Sequence, residues 1–322
     1  MTSPNHLDTP MPLRVQRAWD AADGMRSYEL VQADGTLLPP FTPGAHIKVQ
    51  VPSGQVRKYS LCNAPDERRH YLITVKREAS GQGGSASLVN DAHEGDTLYC
   101  SVPDNAFPLV AEAPAYLFIA GGIGITPIMA MIRSFGELAP VPWKLVYLTR
   151  SPESTAFLDE LSAPQWAGRV HIHHDHGDAA QAFDLWPVLQ KPNSAHLYCC
   201  GPRPLMDAVR DMSGHWSPAN VHFESFTEGG EVVQGDQAFT VQVASSGQRY
   251  QVPVGKTILA VLREHGVDLP SSCESGTCGT CRTGLISGEG DHRDFCLMPD
   301  EFASAIMVCV SRAKSAELVL DL

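Results

Sequence analysis

Four cysteines near the C-terminus constrain this chain more than any other feature of its sequence. Cys273, Cys278 and Cys281 follow the spacing C-x4-C-x2-C, and Cys309 comes 28 residues after the third. This is the plant-type ligand spacing for a [2Fe–2S] cluster, in which four soft, anionic thiolates bind two tetrahedral irons. Such a cluster moves one electron at a time, so the spacing predicts an electron-transfer function for this end of the chain.

Zinc is the competing interpretation of clustered cysteines. Zinc sites favour paired Cys-x2-Cys knuckles, and this region has one pair of that spacing, Cys278 with Cys281. Cys296 is an additional thiol, which we expect to be free, because Cys309 lies in the apolar segment IMVCV that can hold a ligand rigidly. We therefore predict that the ligands are Cys273, Cys278, Cys281 and Cys309.

The length and charge of the chain exclude several classes of protein. A chain of 322 residues predicts two or three domains, and a net charge of −12 argues against general nucleic-acid binding, which needs a basic surface. No uninterrupted apolar run reaches the length of about 18 residues that a transmembrane helix needs. The N-terminal residues lack the basic start and apolar core of a signal peptide, so we expect a cytoplasmic protein that binds no membrane. Nine cysteines in such a chain favour metal or redox chemistry over disulfides.

Hydrophobic periodicity divides the chain into three folded segments and a linker. In residues 1–110, apolar and polar positions alternate between Gly and Pro turns, which predicts a small antiparallel β-barrel. In residues 111–227, strand patterns such as AYLFIA and KLVYLTR alternate with helical patterns, which predicts a doubly wound parallel α/β sheet. Residues 228–236 are rich in Gly and acidic residues, as is typical of a linker. Residues 237–322 contain hairpin and helix patterns before the cysteine loop.

Three short motifs in the first segment together predict a flavin site. Arg57 to Ser60 end a predicted strand, and Thr74 to Lys76 form a second strand edge. Residues 81–85, GQGGS, open a helical pattern, where free N–H groups and the helix dipole favour a phosphate beside Arg57. Tyr59 is placed to pack on the ribityl and ring region. For RKYS alone, a solvated strand end is the alternative.

Two turns in the second segment predict a dinucleotide site. Gly121 to Pro127, GGIGITP, joins a buried strand to a helix that we expect to begin after Pro127. This is not the G-x-G-x-x-G fingerprint, but its glycines let a pyrophosphate approach the backbone. Cys200-Gly-Pro ends a later strand at the same sheet edge, where ligands of open α/β sheets bind. For GGIGITP alone, a tight turn without a ligand is the alternative.

Four histidines in the segment HIHHDHGD have two interpretations. Clustered histidines suit a metal site. Along a strand, however, His171 and His173 share one face while His174 and His176 share the other, so four converging ligands are not expected. We therefore predict a structural role for them. No Ser-His-Asp or paired-carboxylate pattern stands out, which fits hydride transfer, since that reaction needs no strong general base.

Taken together, these motifs resemble a known family. The chain carries RKYSL, TVK, GQGGS, GGIGITP, CCGP, FESF and CESGTCGTC in that order, and also HHDHGD, GHW, DHRD and MVCVSRAKSAELVLDL. It resembles the ferredoxin–NADP reductase superfamily fused to a plant-type ferredoxin. More narrowly, it is similar to the phthalate dioxygenase reductase family, the electron-transfer components of two-component aromatic-ring dioxygenases. The resemblance covers nearly the whole chain after the first dozen residues.

The resemblance implies three cofactor sites: FMN in the barrel, NADH on the α/β domain and the cluster in a C-terminal α+β domain of the β-grasp type. The flavin site would comprise Arg57, Lys58, Tyr59, Ser60, Thr74, Val75 and Lys76, with Gln82, Gly83, Gly84 and Ser85 around the phosphate. The pyridine-nucleotide site would comprise Gly122, Ile123, Gly124 and Thr126, with Cys200 near the nicotinamide and Phe226 covering the flavin. The candidate catalytic residues are Ser60, Cys200 and Phe226. Members of the family can carry an Arg where Gln82 stands, and loss of that charge would weaken the phosphate contact.

The resemblance also implies the function of a monomeric reductase. It would take hydride from NADH on its flavin and pass single electrons through the cluster to the Rieske centre of a terminal oxygenase. Plant-type clusters have reduction potentials of about −400 mV, and those of Rieske centres are about −150 mV or above. Electron transfer from the cluster to the Rieske centre would therefore be thermodynamically favourable. A reductase of small acceptors such as ferric chelates, and a redox sensor or adaptor, are the alternatives. Arg150 could accept the 2′-phosphate of NADPH, although the resemblance favours NADH.

Overall fold

The computed structural model of the chain describes residues 7, 9–78, 83–136, 141–227, 229–230 and 232–322. The chain divides into two compact units, Met1–His222 and Phe223–Leu322, here called unit 1 and unit 2. Unit 1 holds both the predicted barrel and the predicted α/β domain. The exact limits predicted at 110, 227 and 236 remain predictions.

A six-stranded antiparallel sheet forms the first part of unit 1. Its strand order is β4-β3-β6-β1-β2-β5, and a bridge between Leu61 and Ile73 joins its two edges. The sheet therefore closes into a barrel, as the alternating pattern predicts. Its elements are β1 (Met11–Ala22), β2 (Met25–Val31), β3 (His46–Gln50), β4 (Val56–Ser60), β5 (Tyr71–Lys76), α1 (Gly84–Asp91) and β6 (Thr97–Cys100).

A five-stranded sheet of order β11-β10-β7-β8-β9 follows in the chain. The ladders that join β10, β7, β8 and β9 are parallel. Strand β7 is buried at every position, which explains why it reads as an unbroken apolar run. The elements are β7 (Tyr116–Gly121), α2 (Ile125–Ser134), β8 (Trp143–Thr149), α3 (Leu158–Leu161), β9 (Val170–His174), α4 (Trp186–Leu189), β10 (His196–Cys200), α5 (Arg203–Met212) and β11 (Val221–Glu224).

Helix α2 begins three residues earlier than we expect from the sequence, at Ile125 and not at Ile128. A 3₁₀ turn over Gly122–Gly124 leads directly into Ile125, and Pro127 lies inside the first helical turn. A proline is tolerated there because the first N–H groups of a helix have no partner within the helix. The helix axis is therefore fixed directly against the glycine turn.

In its described residues, unit 2 combines a five-stranded mixed sheet, a two-stranded sheet of β15 and β17, and one α-helix. The sheet order is β13-β12-β18-β14-β16; β12 and β18 are parallel, and the other ladders are antiparallel. The hairpin predicted around Ser-Ser-Gly is confirmed as β12–β13. The elements are β12 (Phe239–Val243), β13 (Arg249–Val252), α6 (Ile258–Glu264), β14 (Arg282–Ser287), β15 (Gly290–Asp291), β16 (Ala305–Met307), β17 (Arg312–Ala313) and β18 (Glu317–Asp321).

Helix α6 buries Ile258, Leu259, Val261 and Leu262 against the sheet of unit 2. This one-sided apolar face is what its helical pattern predicts. Across the described parts of both units, no helix is both long and apolar enough to span a membrane.

A stack of two histidines and a tyrosine lies on the α/β sheet of unit 1. The His196 Nδ1 and His222 Nε2 atoms are 3.0 Å apart, and the His222 ring stacks on Tyr198 with ring centres 4.4 Å apart. Burial, together with the charge of His196, lowers the pKa of His222 from 6.5 to about 4. Burial also lowers the pKa of His196.

This stack predicts that unit 1 loses stability on acidification. Between pH 6.5 and about 4 the unfolded chain binds protons that folded His222 excludes, so the free energy of unfolding falls as the pH falls. We expect the melting temperature to drop between pH 7 and pH 5, and His222→Phe, which keeps a ring in the stack, to reduce that drop. Thermal unfolding followed by circular dichroism measures both. The exposed His93 gives the control His93→Gln, and an unchanged pH dependence in His222→Phe would contradict the prediction.

Candidate functional site

The cysteine loop of unit 2 lies between α6 and β14, and the fourth cysteine follows β16. Cys281 and Cys309 are buried, whereas Cys273 and Cys278 are partly exposed. The loop itself carries no helix or strand from Ser271 to Gly279, so its conformation depends on specific hydrogen bonds. All four predicted ligands therefore belong to one short segment and the strand-end facing it.

The four thiols are arranged as two hydrogen-bonded pairs. The bond between Cys273 and Cys278 lowers the pKa of Cys273 to about 4 and raises the pKa of Cys278. In the same way, the bond between Cys281 and Cys309 lowers the pKa of Cys281 and raises that of Cys309. Two pairs of thiols match the two irons of a [2Fe–2S] cluster, each with two cysteine ligands. Within the described residues, no group of three or more His, Cys, Asp or Glu side chains is arranged to hold a single metal ion.

Backbone N–H groups of the loop point at the ligand sulfurs. The N–H groups of Ser275 and Thr277 each donate to the Cys273 Sγ at 3.4 Å, and the N–H of Cys273 donates to the Cys278 Sγ at 3.5 Å. Such bonds stabilise negative charge on sulfur, and they are one of the factors that set the reduction potential of a cluster. The loop geometry thus fits anionic thiolates, which is the ligand form that iron requires.

Cys296 lies beside the loop but outside both pairs. Its thiol donates to the Gly276 carbonyl at 3.3 Å, and burial raises its pKa to about 12, so it stays protonated at neutral pH. The Asp294 carboxylate accepts from the N–H groups of Cys296 and Leu297 at 3.0 and 2.7 Å. These contacts support the interpretation of Cys296 as a brace of the loop, not a ligand.

The segment predicted as a linker also contacts the cluster loop. The Gly229 N–H donates to the Glu274 carbonyl at 3.1 Å, next to the ligand Cys273. Asp236 forms ion pairs with Arg293 and, at 3.8 Å, with Arg312. The sequence analysis missed these contacts, since an isolated Asp beside glycines carries no signal of its distant arginine partners. Residues on both sides of the cysteine motif therefore hold the loop.

The predicted flavin motifs lie together where the barrel closes. Ser60 and Thr74 are both buried, and the Thr74 hydroxyl bonds to Ser27 Oγ at 2.8 Å. The Val75 side chain is buried in the barrel core, so only its backbone can face a ligand. Lys76 lies at the rim, where it pairs with Glu78 at 2.6 Å. The Thr74 and Val75 side chains are thus turned into the protein, and mainly backbone is left for the predicted contact with the flavin ring.

Arg57 lies directly against the start of α1. A Cβ placed on Gly84 would come within 2.8 Å of the Arg57 Nε and of the Gln55 Oε1. A side chain at position 84 would have to displace Arg57 or Gln55, and the N-cap residue Gly83 has no side chain to cap the helix beside the guanidinium. This arrangement fits a phosphate. Ser85 Oγ accepts from the Glu78 N–H at 3.1 Å, and Gln82 lies outside the described residues.

The two turns predicted for the nucleotide site pack against each other. A Cβ on Gly124 would lie 2.2 Å from the carbonyl oxygen of Cys200, so glycine is required there. The Thr126 hydroxyl donates to the Ile123 carbonyl at 2.9 Å and fixes the start of α2. Gly122, Ile123, Gly124, Thr126 and Cys200 therefore meet at the carboxyl edge of β7 and β10, the edge that binds ligands in open α/β sheets.

The histidine cluster has the structural contacts that we predict. His171 and His173 both pack on Phe183, which confirms that they share a face. His174 Nδ1 bonds instead to the Thr149 hydroxyl at 2.8 Å. Lys58 lies exposed on β4, and Phe226, in unit 2, is 46% exposed. The roles of all the predicted site residues stay predictions.

Comparison with known proteins agrees with this geometry. Residues 241–314 match the family described as the 2Fe-2S iron-sulfur cluster binding domain. The chain is 50% identical to the phthalate 4,5-dioxygenase oxygenase reductase subunit of Pseudomonas putida and 50% identical to the phthalate dioxygenase reductase of Burkholderia cepacia, over the full length of each. It also matches a solved structure described as phthalate dioxygenase reductase, a modular structure for electron transfer from pyridine nucleotides to [2Fe-2S]. That match has a TM-score of 0.73, 50% identity and 98% coverage of both chains.

These matches extend over the barrel, the α/β sheet and the cluster domain together. The family match over residues 241–314 favours the iron–sulfur interpretation of the cysteines over zinc. The chain is therefore an oxidoreductase that belongs to the phthalate dioxygenase reductase family of oxygenase reductase components.

Proposed function

We propose that this chain takes hydride from NADH on FMN in unit 1 and passes single electrons through a [2Fe–2S] cluster in unit 2 to a Rieske-type terminal oxygenase. The observation that carries the proposal is the presence of two thiol pairs in a chain that has two further features. Arg57 lies against Gly84 at the start of α1, and the Gly122–Gly124 turn packs against Cys200. A cytoplasmic, monomeric reductase supplied with NADH belongs to the same proposal.

In unit 2, Cys273 and Cys278 would hold one iron, and Cys281 and Cys309 would hold the other. When bound, the cluster supplies one-electron transfer, which a nicotinamide does not readily provide. The N–H groups of Ser275 and Thr277 stabilise the negative sulfur of Cys273. Cys296 and Asp294 hold the surrounding loop in one conformation, so that the sulfurs need not reorganise when the charge changes.

In unit 1, Arg57 and the first N–H groups of α1 would bind the FMN phosphate. The backbone of Thr74 to Lys76, with Tyr59 and Ser60, would bind the flavin ring where the barrel closes. Gly122 to Gly124 and Thr126 bind the pyridine nucleotide against the turn after Cys200.

Two other functions make different demands. A reductase of small acceptors such as ferric chelates would not need an oxygenase, and a redox sensor or adaptor would not need rapid turnover. The full-length similarity to oxygenase reductase subunits favours the oxygenase as acceptor. The aromatic substrate belongs to the oxygenase and follows from its active site.

We predict that Cys309→Ser removes the cluster and leaves flavin reduction intact. A hydroxyl is a poor iron ligand in place of a buried thiolate, while unit 1 keeps all of its own contacts. Visible and electron paramagnetic resonance spectra report the cluster, and anaerobic mixing with NADH reports flavin reduction. Cys296→Ser is the matched control and should keep the cluster. An intact cluster in Cys309→Ser would remove that residue from the ligand set.

We predict that Arg57→Ala weakens FMN binding about 10- to 100-fold, since a hydrogen bond to a charged group contributes about 1.5–3 kcal/mol. The dissociation constant is measured by fluorescence titration of the flavin-free protein. Arg77→Ala is the control, because Arg77 bonds to Asn90 at the other end of α1. Equal affinity in Arg57→Ala and wild type would contradict the phosphate role.

Reduction of a purified Rieske oxygenase tests the whole proposal. We expect wild-type protein to reduce the oxygenase with NADH much faster than with NADPH, and Cys309→Ser to fail with either nucleotide. Stopped-flow absorbance of the Rieske centre gives both rates. Turnover with ferric chelates but none with any Rieske oxygenase would favour the small-acceptor reductase, and slow turnover with every acceptor would favour a sensor. Gel filtration tests the monomer.

A further inference from the structure

Arg133, in the last turn of α2, links two parts of unit 1 through directional bonds. Its Nη1 donates to the carbonyl oxygen of Cys62 at 2.6 Å. Its Nε donates to the Glu160 Oε1 at 2.9 Å, and its Nη2 bonds to the other carboxylate oxygen. The guanidinium carbon also lies 5.2 Å from the centre of the Phe157 ring. Arg133 is therefore partly buried and contacts two other chain segments, one at Cys62 and one at Phe157 and Glu160.

The acceptor carbonyl lies next to the bridge that closes the barrel. The Cys62 N–H donates to the Leu72 carbonyl of β5 at 2.8 Å, one step from the bridge that closes the barrel. The Cys62 thiol faces the Ser60 carbonyl at 3.7 Å and the Thr74 hydroxyl at 4.0 Å. Both of those residues are candidate flavin contacts. A bond to the Cys62 carbonyl is thus a bond to the frame of the flavin site.

The other end of the same helix forms the nucleotide turn. Helix α2 starts at Ile125, directly after the Gly122–Gly124 turn, and Arg133 lies eight residues further along. The Arg133 guanidinium therefore connects two predicted sites. At one end is the helix that begins with the nucleotide turn; at the other is the barrel seam, the Leu61–Ile73 bridge between the end of β4 and β5, beside which the flavin motifs lie.

Apolar packing also joins these parts, but it does not fix their relative orientation. Ile128, Met129 and Ile132 of α2 share one buried cluster with Cys62 and Leu72. Dispersion and hydrophobic contacts of this kind favour association without fixing a direction. A bidentate ion pair and a short bond to a fixed carbonyl do fix direction. The position of α2 along the barrel seam thus depends on Arg133.

We propose that Arg133 is a positioning residue for hydride transfer, one that sets the nucleotide turn relative to the flavin seam. The inference rests on the proposed reaction of NADH with FMN. In that step the C4–H bond of the dihydronicotinamide breaks and its hydrogen, with both electrons, forms an N–H bond on the flavin. Oxidised nicotinamide and the anionic two-electron-reduced flavin are the products.

The length of α2 makes hydride transfer sensitive to this contact. Eight residues of helix span about 12 Å, so a tilt of about 5° at the Arg133 end moves the turn by about 1 Å. Reacting atoms must lie about 3–3.5 Å apart, and a misplacement of about 1 Å can cost about 100-fold in rate. Loss of the Arg133 bonds therefore acts on the rate of the chemical step more than on binding.

The test compares four variants of the full-length holoprotein. Arg133→Met keeps the length of the side chain and removes every donor, whereas Arg133→Lys keeps the charge. Glu160→Gln weakens the ion pair and leaves the bond to the Cys62 carbonyl. The control Arg17→Met removes an exposed barrel arginine whose nearest carboxylate, Glu29, is 4.0 Å away. Anaerobic stopped-flow mixing with NADH gives the limiting rate of flavin reduction and the nucleotide dissociation constant, and C4-deuterated NADH gives the isotope effect.

For Arg133→Met we expect a limiting rate at least tenfold below wild type, a dissociation constant within about threefold and a larger primary isotope effect. The FMN content and flavin potential should be unchanged. Arg133→Lys should recover part of the rate, and the other two variants should stay close to wild type. If Arg133→Met fails to fold, a wild-type rate in Arg133→Lys overturns the inference.

Each contrary outcome has a distinct meaning. A folded Arg133→Met protein that reduces its flavin within twofold of the wild-type rate overturns the inference and leaves the proposed function intact. An equal loss in Glu160→Gln overturns the role of the Cys62 carbonyl and assigns the effect to the ion pair. Failure of wild-type protein to reduce its flavin with NADH overturns the proposed function, and the inference with it.

Discussion

The structure of unit 2 depends on holding four thiols in two close pairs. Thiolates repel one another, so a loop that gathers them needs compensating positive charge from metal and from N–H dipoles. The loop supplies the dipoles through Ser275 and Thr277, and iron would supply the charge. Asp294, Cys296 and Gly229 then bond the loop to its surroundings. The strands and the helix of unit 2 form the core that supports this loop.

In the proposed function, unit 1 would recognise its ligands largely through backbone. At the proposed phosphate site a side chain on Gly84 would have to displace Arg57 or Gln55, and at the proposed nucleotide turn none fits on Gly124 beside the Cys200 carbonyl. A close side-chain contact at Gly84 and a close backbone approach at Gly124 thus shape the two proposed sites, with Arg57 as the main charged contribution. GGIGITP could therefore bind a dinucleotide although it departs from the common fingerprint. Such binding requires space and free N–H groups, and it does not require one particular sequence motif.

The features that the sequence predicts well are those whose chemistry lies in adjacent residues. The cysteine spacing, the buried strand β7 and the apolar face of α6 each contain their own signal within a few positions. The contacts between Arg133 and Cys62 and between Asp236 and Arg293 do not, since 71 and 57 residues separate the partners. Nothing in a local pattern marks which arginine meets which carbonyl or carboxylate. The tertiary fold alone brings them together, and the same limit explains why Gly229 and Asp236 look like parts of a linker.

The two units differ in where their directional polar contacts lie, and the difference matches the transfer proposed for each: hydride in unit 1 and single electrons in unit 2. Hydride moves with its nucleus, so donor and acceptor must be in contact and correctly oriented. An electron moves without a nucleus and tolerates a gap, so its site needs rigidity more than close registration with a partner. Unit 1 accordingly fixes one secondary-structure element against another through the Arg133 bonds. In unit 2 the polar contacts instead converge on the loop itself, because a cluster that barely reorganises on reduction is what makes a one-electron site efficient.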